Sequence, residues 1–230
     1  MTPGIIIDCQ QGSPEWLEAR CGIVTASRAA DVIAVLKKGG EAAARRDYRS
    51  EIICERLTGR PYPRYVTQEM QWGLDQEPFA RAAYELSRGE LVDTVGFVLH
   101  GEIERFGSSP DGLVGDVGMV QFKCPTTSTH IDWLRAGTVP VEHIPQLLAE
   151  LSCNPEREWV DFVSFDPRLP EHLQLFVRRY ERASGLISVL EREVVHFNKQ
   201  LDEVIAGLPG QPQVIAEVLE WPRLDESSIE

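Results

Sequence analysis

The sequence predicts an α/β fold with a central mixed β-sheet flanked by helices. Three observations carry that prediction. Helical apolar spacing dominates up to about residue 90. Short β-type runs separated by glycine turns follow from Leu91. A helical stretch, two more strand-like runs and a long helix then close the chain. Strands interleaved with helices in this order belong to one layered domain. The expected organisation is a single domain over residues 1–230, with a helical part at 1–90, a sheet at 91–180, and a helix and tail at 181–230.

Each element has a local reason. Ser13-Pro14-Glu15 opens a short helix, with Ser13 as N-cap and proline in the first turn, and Gly22 lies past its end. Thr25 or Ser27 begins a second helix to about Leu36, with Ala29, Val32, Ile33 and Leu36 on one face. Lys37 to Gly40 is a loop, Glu41 to Leu57 is helical, and Thr58 to Pro63 is a turn. Thr67 to Leu86 is a longer helix in which Pro78 demands a kink or a boundary. Strands are expected at 95–99, 106–109, 112–114 and 119–123, a helix at 144–151, strands at 159–165 and 173–177, and a helix at 180–205. No repeat or low-complexity segment is present.

Composition narrows the function classes. The Gly4-Ile5-Ile6-Ile7 run is too short to span a membrane and has no basic flank, so a cytoplasmic protein is expected. The five cysteines are scattered without a close pair, which disfavours zinc, iron–sulfur clusters and a disulfide framework. The net charge of −13 argues against a generic nucleic-acid binder. Basic residues do gather at Lys37, Lys38, Arg45, Arg46 and Arg49, a pattern that equally fits a solvated helix face.

The segment richest in chemistry is Ser109-Pro110-Asp111-Gly112-Leu113-Val114, then Gly118-Met119-Val120-Gln121-Phe122-Lys123-Cys124-Pro125. It reads as a β-hairpin. Gln121 and Lys123 share one sheet face, while Val120, Phe122 and Cys124 point to the other, toward the core. An acid, an amide and an ammonium therefore meet on one side. Oxygen ligands that converge this way hold Mg²⁺, and the Phe122 carbonyl can add one more. Such a metal polarises a phosphate and acidifies water, and a nearby lysine offsets developing charge. On this segment alone, a metal site and a surface hairpin with solvated charges fit equally well.

The segment resembles the Pro-Asp…Glu-x-Lys signature of restriction-endonuclease-like nucleases, and more closely the lambda exonuclease family of phage recombination nucleases. Trp16 to Arg20 with Gly22 to Ser27 is similar to that family's N-terminal motif, Gly73 to Pro78 to its middle helix, and Pro145 to Leu148 to its glutamine-bearing helix. The resemblance implies a restriction-endonuclease-like core. It implies Asp111, residue 121, the Phe122 carbonyl and Glu77 around Mg²⁺ or Mn²⁺, Lys123 as catalytic lysine, and Gln146 in support. It also implies Arg20, Thr25 and Ser27 on the 5′-phosphate of a DNA end, a role that suits a bidentate guanidinium beside helix-terminal donors. The family implies a 5′-to-3′ exonuclease on double-stranded DNA ends, a homo-trimeric ring, and a single-strand annealing protein as partner. A ring can carry basic residues inside and acidic ones outside, and Arg45, Arg46 and Arg49 are candidates for the inner wall. Simpler roles stand beside these: Arg20 in a surface ion pair, Thr25 and Ser27 as helix caps, Glu77 facing solvent. Trp16 is expected in the core, and His143 and Cys124 as packing residues.

Position 121 departs from the pattern, for the family places glutamate there and an amide binds Mg²⁺ less well. An engineered inactive form is the favoured explanation, because the other site residues are retained. A DNA-end binding module without catalysis is the alternative, and an endonuclease on the same fold a weaker one.

Overall fold

The computed structural model describes residues 2–36, 39–63 and 65–209. Strands β1 (Ile5–Ile7), β2 (Val24–Thr25), β3 (Val92–Asp93), β4 (Phe97–Leu99), β5 (Phe106–Ser108), β6 (Gly112–Val114), β7 (Gly118–Lys123), β8 (Trp159–Phe165) and β9 (Leu175–Glu181) form two sheets rather than one. The smaller runs β1-β4-β5-β2 and the larger β3-β6-β7-β8-β9. Both are mixed. β7 and β8 pair in parallel, Gly118 opposite Trp159 through Lys123 opposite Ser164, while β6–β7 and β8–β9 are antiparallel. The helices are α1 (Pro14–Ala19), α2 (Ala29–Val32), α3 (Ala43–Thr58), α4 (Gln68–Arg88), α5 (Thr127–Ala136), α6 (Ile144–Cys153), α7 (Glu171–Gln174) and α8 (Ser184–Ala206). None among the described residues is long and apolar enough to cross a membrane.

The large sheet is covered on both faces, and this fixes what the hairpin strand can present. Met119, Val160 and Phe162 join Tyr48, Phe106, Leu147, Leu190 and Phe197 in one core. Val120, Phe122 and Val163 face the other way, against Ala80 and Tyr84 of α4. The expected alternation along β7 is present, with Cys124 packed beside Val120 and Phe122. Gln121 nevertheless lies on a covered face, only 3% exposed.

Several elements differ from expectation. The second helix is a 3-10 turn at Ala26–Arg28 followed by one α-turn; Ala29 and Val32 are buried but Ile33 and Leu36 are exposed. Val35 instead bridges Glu41 around Gly39 and Gly40, both at positive φ, and a β-branched residue suits that extended position. The helix α4 runs unbroken through Pro78. Leu74, whose carbonyl loses its partner there, is 60% exposed, so water replaces the missing bond. β1 was visible only as an apolar run, and α5 was not expected. α5 has its signals all the same: Thr126 accepts from Thr129 N, and Gly137 ends the helix at φ 67. β9 continues to Glu181, so the last helix begins at Ser184. Residues 37–38 of the basic stretch and the tail from 210 lie outside the described residues.

Candidate active site

Asp111 ends the loop from β5 and enters β6. It is half-buried, and its Oδ2 accepts hydrogen bonds from Gln121 Nε2 and, at 2.7 Å, from Phe122 N–H. Register explains the meeting: Gly112 pairs with Val120, so the residue before β6 reaches the residues after Val120. Burial pushes the Asp111 carboxyl up, while Lys123, the Phe122 amide, Arg81 and Gln121 oppose the shift. Glu77 arrives from α4 and is half-buried. Its carboxyl is raised to about 7, first by burial and then by the negative charge of Asp111. Glu77 and Asp111 line one cleft of about 540 Å³ with Asp8, Cys9, Gln11 and Arg81. Glu77 therefore faces the cleft rather than open solvent.

On the other side of the hairpin, Lys123 Nζ donates to Gln146 Oε1 at 3.3 Å, and Gln146 Nε2 donates to Glu150 Oε1 at 2.8 Å. The structure thus brings Asp111, Gln121, Phe122 and Lys123 together, with Glu77 and Gln146 on flanking helices. His143 packs between Trp133 and Phe162 at 5.2 and 5.1 Å, as a structural histidine does.

Arg20, Thr25 and Ser27 also converge. Arg20 Nη2 reaches Ser27 Oγ at 3.5 Å, and Ser27 Oγ lies 3.3 Å from Thr25 Oγ1. The buried Tyr48 hydroxyl, from α3, accepts the Thr25 N–H at 3.0 Å and fixes that backbone. Ser109 completes the group, its Oγ accepting from Arg20 Nη1 at 3.2 Å and from Trp16 Nε1 at 2.9 Å. Trp16 is not the expected core residue: it is half-buried, with the Arg20 guanidinium stacked 3.9 Å from its ring centroid. A planar cation, three hydroxyls and an indole are together chemically suited to an anion.

The basic helix face fares differently. Arg45 is buried, bonded to Gln200 and stacked on Phe197, and Arg49 pairs with Glu41. Arg45 is thus packed against α8 rather than set on an open wall, whereas Arg46 is exposed and paired with Asp47. The burial of Arg45 reflects α3 packing on α8, which periodicity on one helix cannot reveal.

Four residues near the site carried no role in the sequence reading. Ser109 stood in the motif. Arg81 and Glu150 each sit four residues after a site residue on a helix, a spacing that puts side chains on one face. Gln11 had no local signal: its Nε2 bridges Pro110 O and Val95 O at 2.8 and 3.0 Å and so braces the loop before Asp111. Arg81 braces it too, through the Asp111 and Val92 carbonyls.

The donor set suits a hard divalent cation. Gln121 Oε1 is buried without a hydrogen-bond partner beside Asp111, whose charge helps to raise the Glu77 carboxyl. Among the described residues no three His, Cys, Asp or Glu side chains cluster tightly enough to hold a metal by themselves.

Comparison with known proteins agrees with this layout. Residues 15–155 match the family model of the YqaJ-like viral recombinase domain. The crystal structure of an alkaline exonuclease, LHK-Exo, from Laribacter hongkongensis is 44% identical, with a TM-score of 0.78, covering 84% of this chain and 95% of that one. LHK-Exo in complex with dAMP superposes with the same figures, TM-score 0.78 and 44% identity. A phage-related exonuclease from Haemophilus somnus 129PT, 16% identical over 80% of this chain and 95% of its own with a TM-score of 0.59, shares the fold. No curated protein is significantly similar in sequence. The match spans the anion pocket, the hairpin and the glutamine-bearing helix, and the chain belongs to the YqaJ-like viral recombinase family, the lambda exonuclease family that its motifs resemble.

Proposed function

We propose that this protein is a divalent-metal-dependent exonuclease that degrades one strand of duplex DNA from its 5′ end and releases 5′-mononucleotides. The observation that carries the reading is the placement of Ser109 and Asp111. Ser109 belongs to the anion pocket and Asp111 to the cation site, and Pro110 between them keeps Ser109 extended. Two extended residues reach about 7 Å, comparable to the step between successive phosphates on one strand. A terminal 5′-phosphate held by Arg20, Thr25, Ser27 and Ser109 therefore sets the next phosphate at Asp111. Such a register releases one nucleotide at a time, and the name of the dAMP complex of LHK-Exo supports it.

Asp111, Gln121 Oε1, the Phe122 carbonyl and Glu77 are the oxygens that would hold Mg²⁺ or Mn²⁺. The ion, when bound, supplies Lewis-acid polarisation of the phosphate and a more acidic water. The protein's own groups do the rest. Arg20 and the hydroxyls orient the DNA end. Glu77, on α4 at the edge of the cleft, positions the attacking water. Lys123, held by Gln146, offsets charge on the phosphate oxygens. Gln121 weakens metal binding, so the chain as it stands turns over slowly. Double-stranded DNA ends are the substrate, a homo-trimeric ring the assembly, and a single-strand annealing protein the partner.

The test is cleavage of linear and circular duplexes with Mg²⁺, by this chain and by Gln121→Glu. Faster cutting of linear, 5′-phosphorylated DNA by the variant supports the reading. End binding with no cutting by either protein would instead favour an end-binding module, the alternative that Gln121 invites. Cut circles would favour an endonuclease.

A further inference from the structure

Glu150 is 0% exposed in the middle of α6. Its Oε1 accepts from Gln146 Nε2 at 2.8 Å, and its Oε2 has no hydrogen-bond partner. A buried carboxylate with an unsatisfied oxygen destabilises the fold, and an apolar residue would pack there more easily. Its neighbours suggest why it is present. Gln146 turns its other amide atom, Oε1, to Lys123 Nζ at 3.3 Å.

A glutamine amide is nearly symmetric in shape, so packing alone does not choose between its two flips. Its partners choose. A lysine ammonium only donates. Burial raises the Glu150 carboxyl to about 8, and once ionised above that pH it only accepts. With ionised Glu150 behind it, Gln146 must point Nε2 backward and Oε1 toward Lys123. We propose that Glu150 is a positioning residue: through the Gln146 amide it keeps an acceptor aimed at Lys123 and so holds that ammonium at the Asp111 site. The role rests on the nuclease reading for its purpose, but the Glu150–Gln146–Lys123 relay is a physical claim about the protein without metal or DNA.

Two measurements separate these. The chain has four lysines, so selective ¹³C-lysine labelling yields few side-chain signals, and Lys123→Arg identifies the one from Lys123. In metal-free protein above about pH 8, where Glu150 is ionised, the Lys123 ε-methylene signal should be shifted and dispersed as for an immobilised side chain. Glu150→Gln, nearly the same shape, lets the Gln146 amide flip, and the signal should move toward the position of the exposed Lys199. Glu150→Asp, one methylene too short to reach Gln146, should do the same and serves if the first variant is poorly folded. The exchanged pair, Gln146→Glu with Glu150→Gln, restores an acceptor beside Lys123 and should return the signal. On a Gln121→Glu background, Glu150→Gln should lower kcat by about 10- to 100-fold, the usual loss when a supporting shell is removed, with KM for DNA unchanged. A Lys123 signal indifferent to both Glu150 variants overturns the relay. A KM that rises with kcat unchanged also overturns it. If Gln121→Glu cuts no DNA while the Lys123 signal responds as described, the relay stands and the nuclease reading falls.

Discussion

The cation site and the anion pocket lie two residues apart on one loop, yet they are built on opposite principles. Around Asp111 the groups are half-buried or buried, and under-satisfied: Glu77 is raised to about 7, Glu150 to about 8, each first by burial, and Gln121 Oε1 has no partner. Around Arg20 the groups range from buried Thr25 to exposed Ser27, and they already bond one another through Ser109 and Ser27. The first arrangement stores unfavourable electrostatics that a divalent ion relieves. The second is preorganised and needs only to exchange water for phosphate oxygens. The proposed function gives chemistry to the first and recognition to the second, and substitutions should divide the same way.

Gln121→Glu should have the largest effect, raising Mg²⁺-dependent release of nucleotides from linear DNA by more than about 100-fold, since it adds a charged ligand. Equal rates for variant and parent would remove position 121 from the metal set. On that background, Lys123→Ala should reduce kcat by about 100-fold, the loss typical of one preorganised charge-stabilising donor, with DNA affinity little changed. A variant that lost affinity alone would move Lys123 to the recognition side.

Arg20→Ala and Ser109→Ala should act oppositely. Each removes a hydrogen bond to a charged phosphate, worth about 1.5–3 kcal/mol, so the preference for 5′-phosphorylated over 5′-hydroxyl ends should fall by roughly 10- to 100-fold. Competition between the two kinds of end reads this directly. If end preference is untouched, the pocket binds something else.

The smallest effect concerns pH. Glu77 and Glu150 have folded pKa values raised to about 7 and about 8, above those of the unfolded chain. The folded state then binds more protons between the unfolded and folded values, so stability falls as pH rises through that window and levels off above it. Melting temperatures of the metal-free protein should therefore decline from about pH 6.5 to pH 8, above the range in which His100 and His143, both lowered by burial, act in the opposite direction. Glu77→Gln and Glu150→Gln should each flatten the decline, and Mg²⁺ should stabilise more at pH 8 than at pH 6, because binding then displaces fewer protons. An Arg20→Ala protein should keep the parent's decline in full; the anion pocket contributes no raised carboxyl to it.

What the sequence determined by itself was local. The hairpin from Gly112 to Lys123, strand β8, the span of α3 and α4, and the Ser13 cap follow from turn residues and apolar periods shorter than a dozen residues. The ordered motifs also singled out Asp111, Gln121, Lys123, Glu77, Gln146, Arg20, Thr25 and Ser27 as candidates, because each stands in a short pattern of fixed spacing. What the tertiary structure decided was who meets whom. Trp16 shields Arg20 instead of entering the core because β5 delivers Ser109 to its indole. Arg45 is packed against α8, 155 positions away in sequence at Gln200, so a basic run on one helix did not become an open wall. The sheet divided in two, and Gln11 came to brace the loop before Asp111 from 99 positions away. Strand pairing and packing join residues distant along the chain, whereas periodicity and motif spacing report only neighbours.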